Sequence, residues 1–260
     1  QSWYEGKELG EIWGFETDRY FTSAEDAASA PSQKYLQNGS FVFGAGDIKY
    51  KDLDGSGAVD SGKGTISDHG DLKRIGNVLP RYEYALRLGA MVKGFDFEVL
   101  FQGVGKRDMW TTSSLFIPHA AGAQMNIFKN QLDYWTPENT DAAFPRPYIN
   151  GAFGSLAGLP GNSGCNNFAP QTKYLNNLAY LRVKNLTIGY TLPKNLTQKV
   201  SIEKVRVYFS AQNLFTFDHI GGVMDPELTG GWSSNFLDGV DMTYAGRAMP
   251  FNRQMSCGLQ

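Results

Sequence analysis

The chain has 260 residues, a net charge of −2 and 19% charged residues, set against 13% aromatic residues and 30 glycines. That near-neutral balance excludes the broad basic surface that holds nucleic acid, and two cysteines, Cys165 and Cys257, are too few for a disulfide scaffold. No run reaches about 18 consecutive apolar residues, so no transmembrane helix is expected, but transmembrane β-strands leave a far weaker signal and stay open.

The opening, QSWYEGKELGEIWGF, lacks a signal-peptide pattern and reads as a start inside a longer polypeptide. Glu11–Glu16 is the first short strand expected. Ser23–Gln37 is the one stretch with helical periodicity and predicts a short helix. Ser40–Phe43 predicts another short strand. The strongest signal begins at Arg81. Tyr82, Tyr84, Leu86, Leu88, Ala90 and Val92 alternate with Glu83, Ala85, Arg87, Gly89 and Met91. After a turn at Lys93-Gly94, Phe95, Phe97, Val99 and Phe101 alternate with Asp96, Glu98, Leu100 and Gln102 through Gly105. Ala179–Leu192 is a third long strand whose phase slips, which predicts a β-bulge near Lys184-Asn185. Lys204–Phe217 and Phe251–Gln260 complete the set, with Arg253 the one break in the apolar side of the last.

The connections alternate in length. The turn after Val92 is tight and the link from Leu192 to Lys204 is moderate, whereas 44–80, 106–178 and 218–250 are long. An irregular connection of about 70 residues is foreign to a compact soluble sheet. Short turns on one side and long loops on the other belong to a transmembrane β-barrel, whose polar strand faces line the lumen. Glu83, Arg87, Asp96, Glu98, Gln102, Arg206, Ser210 and Gln212 would form that lumen face. Phe215 and Phe217 would reach one interface and Tyr190 the other, as girdle aromatics. Pattern alone leaves a soluble β-sandwich or a lipocalin-like barrel as the alternative.

One stretch carries metal-like chemistry. In DLDGSGAVD, Asp52, Asp54, Ser56 and Asp60 fall at positions 1, 3, 5 and 9 of an EF-hand-type loop, with Gly57 at 6 and the carbonyl of Ala58 at 7. Such alternating oxygens can wrap Ca²⁺. Position 12 is Lys63, so Asp68 or Asp71 would have to supply the missing carboxylate. Trp110, Trp135 and Trp232 lie in the long loops, where flat rings suit stacking on sugars or packing within the loops. His69, His119 and His219 are isolated, and no HExxH, GxSxG or CxxC occurs. The glycine-rich 154–164 lacks the strand and helix context of a phosphate loop. No enzyme is expected.

Several stretches resemble, in order, the C-terminal part of SusC/RagA-type TonB-dependent outer-membrane transporters. They are GKELGEIWGFETDRYF (6–21), GDIKYKDLDGSGAVD (46–60), RIGNVLPRYEYALRLGAMVKGFDFEVLFQG (74–103), YWTPENTDAAFPR (134–146), YLRVKNLTIGYTLP (180–193), VRVYFSAQNLFTF (205–217), MDPEL (224–228) and RQMSCGL (253–259). The resemblance implies an all-β fold, part of an antiparallel transmembrane barrel of about 22 strands around a plug. It implies an outer-membrane location in a Gram-negative cell, a SusD-like surface lipoprotein as lid, TonB as the energy source, and import of an oligosaccharide or a peptide. The chain is too short to close such a barrel and lacks the plug and leading strands, so residues 1–260 are expected to be the C-terminal part of a longer polypeptide. Its end at Gln260, in place of a closing aromatic, departs from that pattern. No cofactor is required for import; Ca²⁺ at 52–60 is the one candidate. The competing function is a soluble secreted β-protein that binds calcium or carbohydrate.

Overall fold

The computed structural model describes residues 4–39, 41–111, 113–118, 127–148, 164–228 and 249–260. They belong to two compact units. The first covers Gln1–Leu79, Asp108–Asn176 and Gly230–Arg247; the second covers Pro80–Arg107, Asn177–Thr229 and Ala248–Gln260.

The first unit is built from short antiparallel pairs rather than one sheet. Strand β1 (Glu11–Phe15) pairs with β4 (Leu72–Asn77), and β2 (Thr17–Tyr20) pairs with β3 (Ile48–Tyr50). The free edge of β1 is used as well. Phe15 N donates to Pro170 O at 2.8 Å and Thr172 N donates to Phe15 O. This approach explains Gly14, since a Cβ there would stand 2.5 Å from the Pro170 carbonyl oxygen. Helix α1 (Ala24–Ser29) is shorter than the expected Ser23–Gln37. Ser23 caps it by accepting from Asp26 N, and Pro31 stops it, leaving a 3-10 turn at Lys34–Leu36. Arg19 grips Asp26 with both terminal nitrogens, at 2.5 and 2.8 Å, which holds the Asp26 carboxyl well below the usual carboxylate range. Of the strand expected at Ser40–Phe43, Ser40 lies outside the described residues and 41–43 form no ladder. Phe41 and Phe43 are instead both buried, edge to face at 5.4 Å, in a core with Phe15, Phe21, Ile48 and Trp135.

Buried polar side chains fasten the loops of this unit. Gln33 donates to Ile48 O and accepts from Tyr50 N. Asp47, fully buried, accepts from Gly44 N, Asn167 Nδ2 and Tyr148 OH. These bonds satisfy backbone that has no ladder partner, so the described loop segments around Gln33, Asp47 and Asn167 are packed structure.

The second unit is one antiparallel sheet. Its strands are β5 (Tyr82–Val92), β6 (Phe95–Gly105), β7 (Tyr180–Thr191), β8 (Arg206–Gln212), β9 (Thr216–Asp218) and β10 (Gln254–Leu259). The order is β10-β8-β7-β6-β5, with β9 continuing beside β7. The β5–β6 register places Val92 opposite Phe95 across the Lys93-Gly94 turn. A bulge in β7 falls at Lys184, where the register with β6 jumps from Val183–Phe101 to Asn185–Leu100. The strand expected over Lys204–Phe217 is broken. Asn213, at φ 52°, takes a left-handed turn that adds one residue between β8 and β9. The last strand is shorter than the expected Phe251–Gln260. The sheet does not close among the described residues: β5 and β10 each have one neighbour.

Candidate functional site

The register sorts the side chains of the paired strands of the second unit onto one of two faces. Opposed pairs Leu86–Phe101, Leu88–Val99 and Ala90–Phe97 continue through Leu186, Ile188 and Tyr190 to Phe209 and Val207, then to Cys257 and Leu259. No charged residue occurs on this face within the paired strands. It is also open. Leu86 is 53% exposed, Leu88 48%, Met255 62% and Leu259 75%. A contiguous apolar surface five strands wide is far beyond the scattered apolar residues of a soluble monomer and marks a face that is covered in use.

Its height fits a bilayer. Strands β5 and β6 have 11 residues each. Each is about 36 Å long, and at a barrel tilt near 40° spans about 28 Å, close to the apolar band of about 25 Å of outer-membrane barrels. Aromatic rings bracket the band. Phe95 and Tyr190 pack at 4.4 Å beside the short turn, while Tyr82, Tyr84 and Phe217 stand at the other end. Tyr84 also donates its hydroxyl to Tyr180 O at 3.1 Å.

The opposite face is polar and cross-linked. Arg87 pairs with Glu98 at 2.7 Å, Arg206 grips Asp96 at 2.5 and 2.9 Å, and the Ser210 and Ser256 hydroxyls meet at 3.2 Å. The residues expected to face a lumen, Glu83, Arg87, Asp96, Glu98, Gln102, Arg206, Ser210 and Gln212, share this face. Toward the end of this face away from the short turn is a buried ionic cluster. The Arg182 guanidinium, 3% exposed, donates to Thr216 Oγ1, Asp225 Oδ1 and Glu227 Oε2 at 2.9, 2.7 and 2.8 Å. Lys184, freed by the bulge, bonds both oxygens of Glu227 at 3.0 Å. The Phe251 ring lies under both cations, at 5.5 and 4.6 Å. MDPEL therefore clamps the 218–228 loop to β7. Sequence reading singled out both segments and missed their pairing, because a residue separation of 43 or 45 carries no local signal.

In the first unit the acidic loop closes on itself. Asp52 accepts from Gly55, Ser56 and Gly57 N at 2.7, 3.1 and 2.8 Å. Asp54 accepts from Ser56 N at 2.8 Å, and its bonds with Ser56 hold its carboxyl below the usual range. The Ser56 hydroxyl donates to Ala58 O at 3.0 Å. Val59 is fully buried and anchors the loop's end. Asp71, also fully buried, accepts from Leu53 and Asp60 N and brings its carboxylate to the loop. Oxygens of Asp52, Asp54 and Asp71 all lie within 4.8 Å of one another. The Asp60 carboxylate turns to Gly62 N at 2.6 Å and stands outside that group. Of the two substitutes, Asp71 and not Asp68 meets the loop; Asp68 pairs with Lys63 at 3.3 Å. An all-oxygen donor set of three carboxylates suits a hard cation.

Trp110 and Trp135 are engaged within the first unit. Trp110 is 2% exposed in a core with Ile12, Ile117 and Phe168, and Trp135 is buried against Gly46. Both rings are packed within the loops, the second of the two readings that their placement in the sequence allowed. Trp232 and His119 lie outside the described residues. His69 packs on Trp13 at 5.5 Å, and His219 sits exposed after β9. Cys257 is a free thiol on the apolar face.

No protein-family model matches the sequence. TonB-dependent receptor P3 of Formosa agariphila is 26% identical over 223 residues, covering 86% of this chain and 19% of that receptor. TonB-dependent receptor P26 of the same organism is 22% identical over 214 residues, covering 82% and 19%. The chain thus spans about a fifth of the length of the curated relatives it matches. Among solved structures, the RagAB peptide transporter aligns with a TM-score of 0.57 at 24% identity, over 96% of this chain and 22% of the other. The RagAB peptide importer in its open-open state aligns at 0.58 and 22% identity, over 99% and 24%. These are receptors and transporters, not enzymes. The chain is therefore distantly related to TonB-dependent receptors and is similar in fold to part of a RagA-type barrel.

Proposed function

We propose that this chain supplies barrel wall and outer loops, the C-terminal part, to a TonB-dependent importer in the outer membrane of a Gram-negative cell. The observation that carries this reading is the two-faced sheet, apolar and bracketed by rings on one side, ionic on the other. An open sheet edge is not tolerated in lipid, so β5 and β10 would be paired by further strands of a longer polypeptide. The polar face would hold a plug, and TonB would act on that plug. The cargo would bind above the barrel, beneath a SusD-like lipoprotein lid. Two matched structures are named as a peptide transporter and a peptide importer, so peptides stand beside oligosaccharides as the first cargo to test.

Fractionation of the native cells tests the reading. The intact polypeptide should pellet with outer membranes, need detergent for release, and run well above 28.7 kDa. A soluble 28.7 kDa species would leave a secreted β-protein that binds calcium or carbohydrate. Uptake of labelled peptides and oligosaccharides in cells lacking the gene then separates the cargo classes.

Ca²⁺ at the acidic loop is a second proposal, favoured by the convergence of Asp71 on Asp52 and Asp54. Ser56 and the Ala58 carbonyl would complete the set, with Asp60 able to contribute only after its carboxylate turns. Terbium luminescence, displaced by Ca²⁺ and not by Mg²⁺, is the expected signature; no sensitised emission would overturn it. The transport reading itself does not depend on the ion.

A further inference from the structure

The short-turn end of the sheet carries chemistry that the barrel reading alone does not use. Two connections meet there. Thr191 N donates to Gly94 O at 2.8 Å, so the Lys93-Gly94 turn lies against the mouth of the β7–β8 hairpin. That hairpin is closed by Leu192 N on Val205 O at 2.8 Å and contains a helical turn, α2 (Lys194–Thr197). Lys93, Lys194, Lys199 and Lys204 are all exposed around this end. Among the described residues none of the four forms an ion pair, whereas Arg87, Arg182, Lys184 and Arg206 of the same unit all do. Of the nearby acids, Asp96 is taken by Arg206, with Lys204 also acting on it, which leaves Glu203 against the other three lysines. Two large apolar side chains stand out beside them, Leu196 at 56% and Ile202 at 44% exposure. The sequence of surfaces along the sheet is thus graded: apolar band, the Phe95–Tyr190 pair, then a lysine collar with apolar tips.

That gradient is complementary to a phospholipid leaflet read from its acyl chains outward. Aromatic rings settle at the level of the headgroups, and lysine stems lie along apolar surface while their ammonium groups reach phosphates. We propose that the short-turn end is a docking surface for anionic phospholipid headgroups, with Lys93, Lys194, Lys199 and Lys204 on the phosphates and Leu196 and Ile202 seated at the upper acyl chains. The proposal rests on the membrane reading given above and is continuous with its apolar face. It assigns to the connection after β7 a role as an interfacial anchor rather than a free aqueous turn.

Tryptophan reporters in the intact polypeptide test it, placed in nanodiscs of phosphatidylethanolamine and phosphatidylglycerol whose lipids are brominated near the headgroup or deep in the chain. Leu196→Trp is expected to be quenched by the shallow bromines and shielded from iodide, and Phe97→Trp by the deep bromines. Iodide access at position 196 with lipid quenching at 97 overturns the docking surface and leaves an aqueous or protein-bound turn. Loss of lipid quenching at 97 overturns the membrane reading and this proposal with it. Charge is tested separately. Neutralising Lys194, Lys199 and Lys204 together to Gln should weaken the preference for phosphatidylglycerol over phosphatidylethanolamine by about fivefold per lysine, on the order of a hundredfold in all. An unchanged preference, in a variant that keeps the parent's melting temperature, overturns the headgroup contact.

Discussion

Arg182 and Asp225 meet at 2.7 Å with side chains only 3% and 7% exposed, an ion pair that crosses 43 residues of sequence. The pair survives burial because each charge is also hydrogen-bonded. Arg182 reaches Thr216 and Glu227, and Asp225 accepts from Glu227 N and Phe251 N. Arg182→Met would leave Asp225 without its cation in a site that excludes water. The expected cost is about 3 kcal/mol, read as a lower melting temperature in detergent. Lys184→Met should cost less, since Lys184 and Glu227 keep about a quarter of their side-chain surface in water. Equal melting temperatures for Arg182→Met and the parent would show that the cluster does not hold the loop.

The long strands of the sheet were legible because period-2 alternation survives burial on one face and charge on the other. The Lys184 bulge was legible for the same reason: a slip in phase has few other causes. Strands β2, β3 and β4 were not. TDRY, IKY and LKRIGN are short and rich in charge, and only tertiary contacts, such as Gln33 on Ile48 and Tyr50, make them extended. The helix was overrun because Pro31 outweighs the periodicity around it. At the acidic loop the spacing located Asp52 and Asp54, whereas the third carboxylate depended on a chain reversal through Gly62, Gly64 and Gly70, all at positive φ. Nothing between positions 60 and 71 states that Asp71, rather than Asp68, faces back.

Tyr20 gives the first unit an alkaline limit. Its hydroxyl donates toward Ala142 O and Ala143 O, and burial pushes its pKa from 10.0 to about 12. A phenol harder to ionise in the folded state stabilises it fully below pH 10. That contribution is lost as pH rises from about 10 toward 12. Tyr174, in contact with Tyr20 and also shifted upward by burial, adds to the same slope. Tyr20→Phe is therefore expected to lower stability at pH 8 by about 1 kcal/mol for the lost hydrogen bonds, yet to flatten the decline above pH 10. Denaturation curves across that range check the slope; an unchanged slope removes Tyr20 from the titration.

The calcium proposal has its own stability signature. An ion that binds only the folded chain stabilises it by about 2.7 kcal/mol at a hundredfold excess over Kd. Asp54, on the exposed side of the loop, is the informative position, because Asp54→Asn removes a ligand while leaving the buried backbone bonds of Asp71 intact. Calcium should raise the melting temperature of the parent and fail to raise that of Asp54→Asn, and a chelator should bring the two together. A calcium response of the same size in both would place the ion elsewhere.

Leu88 and Arg87 are chain neighbours on opposite faces, and that makes them the sharpest test of what covers the sheet. Leu88 stands opposite Val99 midway along β5, with its side chain 48% exposed, while Arg87 faces the other way and pairs with Glu98. If lipid covers the apolar face, Leu88→Arg places a guanidinium near the bilayer midplane at a cost of about 2–4 kcal/mol. Arg87→Gln breaks an exposed ion pair and should cost less than about 1 kcal/mol. The expected result is that Leu88→Arg cuts the amount of folded, heat-modifiable protein in outer membranes several-fold, while Arg87→Gln leaves it near the parent level. In water the order reverses. An exposed Leu88→Arg would then be neutral or solubilising, since it removes apolar surface from contact with solvent. The sign of the Leu88→Arg effect thus decides between a lipid-covered face and a soluble sheet, independently of cargo, lid or plug.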